Sequence, residues 1–599
     1  MSYQPIENYG IVGDLHTVAL VGMDGAVDFM CFPRVDSPTI FGALLDQRLG
    51  GQFQLTPVSD AFRRKQMYFP DTNMLLTRFL AEDGIGEISD FMPIAKEPGW
   101  HALVRRVKAV RGEIEFRAAC APKFDYGRAG HTVEKRPRGW LFRSNGADRT
   151  AFRLRGSVGL RIENGAALGE FRLRAGETAW FILETSGAED DSPAAGPDFV
   201  TESFKETMNY WLTWVARSRY RGRWREMVNR SALTLKLLAS REFGALVAAP
   251  TFGLPEQPGG PRNWDYRYAW VRDASFALYA LMRLGYMEEA AAFMGWTEAR
   301  CREIEPGNQL QVLYGIDGRR ELPEETLAHW EGYRGSRPVR IGNAAVGQFQ
   351  LDIHGELIDA VYLYNKHGEP ISYSFWKQLA RDIDWVCDHW RAPDQGIWEI
   401  RGQPREFLNS RVMCWVAIDR GIRLAVQRGF PFPMERWRQT RDEIYADVYE
   451  EFWNPQRNAF TQYKGAAVMD ASALLMPLVK FIGASDPQWR GALRAIEAEL
   501  IDDSLVKRYD PLKATSDGLS GGEGTFSVCS FWYVECLARA GDLRQARFIF
   551  EKALGYANHL GLYAEQLGPA GEHLGNFPQA LTHLALISAA WNLDARLSR

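Results

Sequence analysis

Over the first two hundred residues apolar and polar positions alternate, a period of two; beyond them the spacing lengthens to about 3.6. Alternation is clear in Ala102–Val110, Ile114–Ala118, Gly139–Arg143, Ala151–Arg155, Val158–Ile162, Glu170–Arg174 and Thr178–Leu183. Thr17–Val21 and Val27–Phe32 flank the turn sequence Met23-Asp24-Gly25-Ala26, a hairpin pattern. Many short strands broken by turn residues predict an antiparallel β-sandwich. The stretch Gly187–Asp198, rich in Ala, Asp, Pro and Gly, reads as a linker or surface loop. Further on, about twelve helical stretches run from 226–241 to 578–595, 468–481 among them, with no comparable strands between. No short exact repeat accompanies them, so six helix pairs in an (α/α)6 barrel fit better than a solenoid. The predicted organisation is a multidomain α and β chain: a β-sandwich over 1–200, a helical linker over 201–225 and the barrel over 226–599.

Composition narrows the class. Of 599 residues 46% are hydrophobic, enough for two sizeable cores. The 71 basic and 75 acidic residues nearly cancel, which argues against nucleic acid or an anionic membrane as partner. Seven cysteines stand far apart with no Cys-x-x-Cys pair, so neither a zinc knuckle nor a disulfide framework is expected. No stretch has the length of a membrane span, and the start lacks a basic, apolar leader pattern. A cytoplasmic protein is expected; a homo-oligomeric state is left open.

The chemistry concentrates in Arg262–Asp273, where Trp264, Tyr266, Tyr268 and Trp270 interleave with three arginines and with Asp265 and Asp273. Aromatic faces stack on the apolar face of a pyranose, and Arg and Asp bind its hydroxyls. A structural cluster of Arg–aromatic stacks is the alternative. Two glutamates stand out elsewhere. In Gly396-Ile397-Trp398-Glu399 a carboxylate follows a Trp that could exclude water and so raise its pKa, as a general acid needs. In Gly561-Leu562-Tyr563-Ala564-Glu565-Gln566 a lone carboxylate lies among apolar neighbours, placed to serve as a general base with Gln566 orienting water. Glycoside hydrolysis needs such a pair. Alone, each glutamate reads more readily as a surface or capping residue than as a catalytic one. Glu523 precedes a predicted helix and is expected to favour its dipole. Asp352 and Glu356, one helical turn apart, read as polar lining or structural hydrogen bonding. Glu406 is expected on an exposed loop with Arg405. The ten histidines form no His-x-x-x-His pair, and no Walker sequence or Gly-x-Ser-x-Gly elbow occurs, so no metal and no cofactor are expected. An ion or phosphate effector is left open.

Arg262–Asp273 resembles the signature of the glucoamylase and trehalase-like family, glycoside hydrolase family 15. So do Gly342–Asp352, Gly396–Glu399, Gly524–Trp532 and Leu574–Gln579, while Asp24-Gly25 and Pro33–Pro38 resemble the trehalase-like N-terminal domain of bacterial members. The resemblance implies a β-sandwich followed by an (α/α)6 barrel, and hydrolysis of a small soluble α-glucoside with inversion from the non-reducing end. It implies Glu399 as general acid and Glu565 as general base, with Arg272 and Asp273 binding the terminal glucose. Trp270, Trp264 and Trp398 would flank the same pocket, and Asp265 joins the binding candidates. Many bacterial relatives carry Arg-His-Phe and Ser-Lys where this chain has Arg405-Glu406-Phe407 and Ser410-Arg411, which bears on the leaving-group side. An inverting disaccharide phosphorylase and a non-catalytic glycan-binding protein are the alternative readings.

Overall fold

The computed structural model describes residues 3–59, 61–94, 99–185, 198–304, 309–511 and 517–598. The expected linker at Gly187–Asp198 lies outside them except for Asp198. Two eight-stranded antiparallel sheets form the N-terminal part. One has the spatial order Tyr9–Gly13, Val18–Gly22, Ala26–Cys31, Gln52–Pro57, Glu113–Ala121, Ala166–Arg174 and Arg161–Glu163, with Thr39–Phe41 paired to its third strand. The other runs His131–Arg136, Gly139–Ser144, Ala151–Gly156, Thr178–Thr185, Ala102–Arg111, Ile85–Phe91, Leu75–Leu80 and Arg63–Tyr68. Alternation buries one face of strands such as Glu113–Ala121, where Ile114, Phe116, Ala118 and Cys120 are buried while Glu113, Glu115 and Arg117 face solvent; Tyr9–Gly13, Val18–Gly22 and Ala26–Cys31 are buried on both faces.

The helices are α1 (Phe199–Ala216), α2 (Arg225–Leu238), α3 (Ala274–Leu284), α4 (Met287–Arg302), α5 (Asp352–His367), α6 (Tyr373–His389), α7 (Leu408–Arg428), α8 (Met434–Glu451), α9 (Leu475–Leu478), α10 (Pro487–Leu500), α11 (Ser527–Ala540), α12 (Leu543–Leu554) and α13 (Ala580–Leu597). Packing closes α3, α5, α7, the α9 segment, α11 and α13 into a ring, and the remaining barrel helices pack around it: an (α/α)6 barrel. Inner helices are buried on nearly all sides; Ser527 to Ala538 of α11 are all buried. Outer helices carry a stripe: α6 buries Phe375, Trp376, Leu379, Ile383 and Val386, and its Ser372 cap accepts from the Phe375 amide at 3.2 Å.

The expected helix at 468–481 is shorter. A 3-10 turn, Ala471–Leu474, leads into α9, because Asp470 caps at Ser472 and Pro477 supplies no amide to prolong the ladder. The inter-helix loops also carry two- to four-residue strand pairs, too short for any periodicity to reveal. All seven cysteines are free, and no described helix is long and apolar enough to cross a membrane. Arg267 ties barrel to sandwich, donating to the Ser37 carbonyl at 2.8 Å and to Tyr126 Oη at 3.1 Å. The functional consequence of the ring is its polarity: the amino-terminal ends of all six inner segments meet at one end of the barrel.

Candidate active site

A narrow cleft opens at that end. Trp264, Tyr266, Trp270, Arg272 and Asp273 line it from the segment before α3, and Trp398, Glu399 and Arg401 from the loop before α7. Phe526, Trp532 and Gln579 close it from the starts of α11 and α13. A wider cavity of about 770 Å3 lies among α1, α2 and α4, where Glu289 pairs with Lys236 at 3.0 Å and Glu288 with Arg217 at 2.9 Å; no residue of Arg262–Asp273 or Gly396–Glu399 lines it, so the narrow cleft is the candidate site.

Glu399 sits in a tight turn. Its backbone has φ +57°, its amide bonds the Gly396 carbonyl at 3.1 Å, and Gly396 has φ +65°. A Cβ on Gly396 would stand 2.8 Å from the Phe407 ring, so the turn needs glycine there. A non-glycine residue in the left-handed region costs about 1–3 kcal/mol, and such strain gathers at functional sites. Gln348 holds the turn, donating to the Glu399 and Ile400 carbonyls at 3.1 and 3.2 Å. Buried Asp394 anchors its stem, accepting from the Leu351 amide at 2.8 Å and Ser410 Oγ at 2.7 Å. The Glu399 carboxylate accepts from Trp270 Nε1 at 2.6 Å and Arg272 Nη1 at 3.0 Å. Arg272 also donates to Asp273 at 3.0 Å and to the Ile397 carbonyl at 3.1 Å, so one guanidinium joins both carboxylates. Burial pushes the Asp273 carboxyl up, and Arg272 opposes this. The Trp398 indole turns to Asp470, 3.0 Å from each oxygen, and its ring packs on Phe526 and Trp532.

Glu565 is placed by a three-stranded ladder of Thr525–Phe526, Gln566–Leu567 and His573–Leu574. Its amide bonds the Asn576 carbonyl and its own carbonyl accepts from the Ser527 amide. Gly575, with φ +72°, passes close by: a Cβ there would lie 2.4 Å from Glu565 Oε2. The carboxylate is 1% exposed and accepts from Tyr266 Oη at 2.6 Å. Burial, followed by the charge of Glu256, pushes its pKa up to about 8, while the Tyr266 bond and Arg508 oppose this. Gln566 Oε1 accepts from the Gly524 amide at 2.7 Å. The Tyr266 and Trp270 rings meet edge-on with centroids 5.4 Å apart. A continuous path therefore runs from Glu399 along Trp270 and Tyr266, which line the cleft, to Glu565, which is buried beyond the lining residues.

Asp265 is not in the cleft. It is fully buried, held by Arg267 at 2.6 and 2.9 Å and by the Gly342 amide at 3.1 Å, and braces the join with the sandwich. Trp264 lies at the rim, with the Arg401 and Arg340 guanidinium groups 4.3 and 5.0 Å from its centroid. Glu523 does not cap α11, which begins after Phe526 without a side-chain cap. It pairs with Arg262 at 3.0 Å and with Arg508 instead. Arg262 continues to Glu256 and Asp517, both at 2.7 Å, and Glu256 accepts from Trp264 Nε1 at 3.0 Å. Sequence reasoning missed Glu256, Arg508 and Asp517, because their partners are distant along the chain. Asp352 and Glu356 are buried behind the cleft; Ser275 bonds Glu356, and burial pushes Asp352 up to about 6. Half-exposed Glu406 pairs with Arg411. Among the described residues no cluster of His, Cys, Asp or Glu could hold a metal ion.

An (α/α)6 barrel whose carboxylates and tryptophans meet at the amino-terminal ends of the inner helices is of the glycoside hydrolase class. Comparison with known proteins agrees. The model of glycosyl hydrolases family 15 matches residues 222–591, and that of the trehalase-like N-terminal domain matches 1–158. A trehalase of Mycobacterium tuberculosis is 40% identical, over 98% of this chain and 89% of its own length. A trehalase of Thermoplasma volcanium is 36% identical, over 99% of this chain and 94% of its own. A bacterial glucoamylase complexed with acarbose shares the fold with a TM-score of 0.75 at 12% identity, over 99% of this chain and 94% of that one. The chain belongs to glycosyl hydrolase family 15 and hydrolyses glycosidic bonds.

Proposed function

We propose that the protein is an inverting, exo-acting α-glucosidase with trehalose as its preferred substrate. Trehalose is favoured over malto- and isomalto-oligosaccharides because relatives matching almost the whole chain are named trehalases. The observation that carries the mechanism is the path from Glu399 through Trp270 and Tyr266 to Glu565. Arg272 and Asp273 bind the hydroxyls of the terminal glucose, while Trp270, Trp398 and Trp264 supply apolar faces. Glu399 donates its proton to the bridging oxygen as the C1–O bond breaks. Water attacks C1 from the opposite face, and Glu565 takes the proton it releases. The products are β-glucose from the attacked ring and the leaving sugar.

Trehalose gives a sharp test. Inversion yields equal initial amounts of β-glucose, from the attacked ring, and α-glucose, from the leaving ring. Proton NMR in the first minutes reads that ratio; α-glucose alone would exclude inversion. Glucose 1-phosphate formed in phosphate buffer would favour a phosphorylase.

One observation favours a second reading with the roles exchanged. A carboxyl pushed up to about 8 keeps its proton at neutral pH, which suits Glu565 as the acid. The family motifs favour the first assignment, and the two readings differ in which glutamate an activated leaving group makes dispensable.

A further inference from the structure

The segment Gln348–Leu351 carries no acid or base, yet it is bonded to four residues of the loop that bears Glu399. The Leu351 amide donates to Asp394 at 2.8 Å, and the Phe349 amide to Gln395 Oε1 at 2.9 Å. The Gln395 amide donates back to the Phe349 carbonyl at 3.1 Å. Gln348 Nε2 donates to the carbonyls of Glu399 and Ile400 at 3.1 and 3.2 Å. The segment is itself held at both ends. Before it stands the 3-10 turn Ala344–Gly347, whose Asn343 cap accepts from the Ala345 amide; after it α5 begins. It forms a fixed template against which the strained loop is laid.

Gln348 lines the cleft, where a side-chain amide would ordinarily bind a sugar hydroxyl. Here the amide is committed to the protein. Both of its N–H groups go to the two carbonyls, and its Oε1 accepts from Gln350 Nε2 at 2.8 Å. Gln350 is buried, so that last bond fixes which way round the Gln348 amide stands. Turned over, the amide would set its oxygen against the Glu399 and Ile400 carbonyls. The loop needs this brace. Glu399 sits at φ +57°, a conformation that persists only where the surroundings enforce it. The aim of its carboxyl depends on that turn. Oε1 takes both the Trp270 and the Arg272 donors, while Oε2 takes no hydrogen bond among the described residues. Oε2 is therefore the oxygen free to carry a proton to the leaving sugar. A reacting group displaced by about 1 Å can lose about 10²-fold in rate.

We propose that Gln348, oriented by Gln350, is a positioning residue that aims the Glu399 carboxyl at the leaving oxygen, a role that rests on Glu399 being the general acid. Gln348→Met keeps the length of the side chain and removes its N–H donors. Steady-state rates of the full-length protein on trehalose and on α-glucosyl fluoride, which needs no proton to depart, test it. On trehalose kcat should fall roughly ten- to a hundredfold with KM nearly constant, while kcat on the fluoride stays within about threefold of wild type. A substitution that merely loosened the cleft would lower both rates alike. Gln350→Leu leaves Gln348 in place without its orienting bond, so it should give the same selective loss in smaller measure; it carries the test if Gln348→Met does not fold. Equal loss on both substrates, or unchanged turnover of trehalose in a folded variant, would overturn the proposal. Glu399→Gln measured alongside separates the two claims. If it also loses the fluoride, the acid assignment fails and the positioning role with it; if it keeps the fluoride while Gln348→Met loses both substrates, only the positioning role fails.

Discussion

The two glutamates stand at the ends of one path, Glu399 lining the cleft and Glu565 buried against Tyr266, and they are held by opposite means. Glu399 stands on a strained loop, its side chain 20% exposed and gripped by two N–H donors. Glu565 stands beside a small sheet, closed off from solvent, with one hydroxyl donor and a neighbouring carboxylate, Glu256, within electrostatic reach. Under the proposed roles, the loop presents a proton to the leaving group and the sheet holds the carboxylate that takes the proton from the attacking water. Identical side chains thus stand in different surroundings, and for Glu565 burial and the Glu256 charge push the carboxyl up to about 8.

Removing either glutamate gives the largest effect on this contrast. Glu399→Gln and Glu565→Gln should each lower kcat on trehalose by roughly 10²–10⁴-fold, the usual range for acid–base groups. Steady-state kinetics with KM nearly constant is the expected readout, and a variant within a few-fold of wild type would remove that glutamate from the mechanism.

Next comes the hydroxyl that distinguishes the Glu565 side. Tyr266→Phe removes a bond to a carboxylate, typically about 1.5–3 kcal/mol, and should lower kcat by roughly ten- to a hundredfold. That bond holds the Glu565 pKa down, so its loss should move the Glu565 limb of the pH profile to higher pH. An unchanged profile would show that the hydroxyl does not tune Glu565.

Glu256→Gln sharpens the comparison through sign. The Glu256 charge raises the Glu565 pKa, so removing it lowers that pKa from about 8. If Glu565 is the base, the acid limb moves down, so kcat/KM at pH 6 rises above the wild-type value while that at pH 8 is held. If Glu565 is the acid, the alkaline limb moves down, so kcat/KM at pH 8 falls below the wild-type value while that at pH 6 is held. The smallest effect belongs to the rim. Arg401→Ala removes the cation stacked on Trp264 and its pair with Glu324, and should raise KM a few-fold with kcat unchanged. A fall in kcat alone would place Arg401 in the chemistry.

Much of this was legible because the decisive residues carry local signals. Period-two and period-3.6 patterns reveal sheets and helices because each buries one face or stripe. Glu399 shows itself by following a Trp in a glycine-containing loop, and Trp270, Arg272 and Asp273 by their dense aromatic and charged company. Asp265 has the same company but faces Arg267, and no sequence pattern tells the two sides of a short strand apart. Glu523 looks like a helix-dipole acid until Arg262 and Arg508 arrive from other loops. Glu256 and Arg508 have no motif of their own. Long-range ion pairs depend on the closed barrel, so they become visible only in three dimensions.

The role assignment is tested most directly with α-glucosyl fluoride, whose leaving group departs without a proton from the enzyme. Glu399→Gln should hydrolyse it within about an order of magnitude of wild type, because the lost term is the leaving-group proton, while Glu565→Gln should stay inactive. Activity on the fluoride in Glu565→Gln together with inactivity in Glu399→Gln would contradict the account and reverse the two roles.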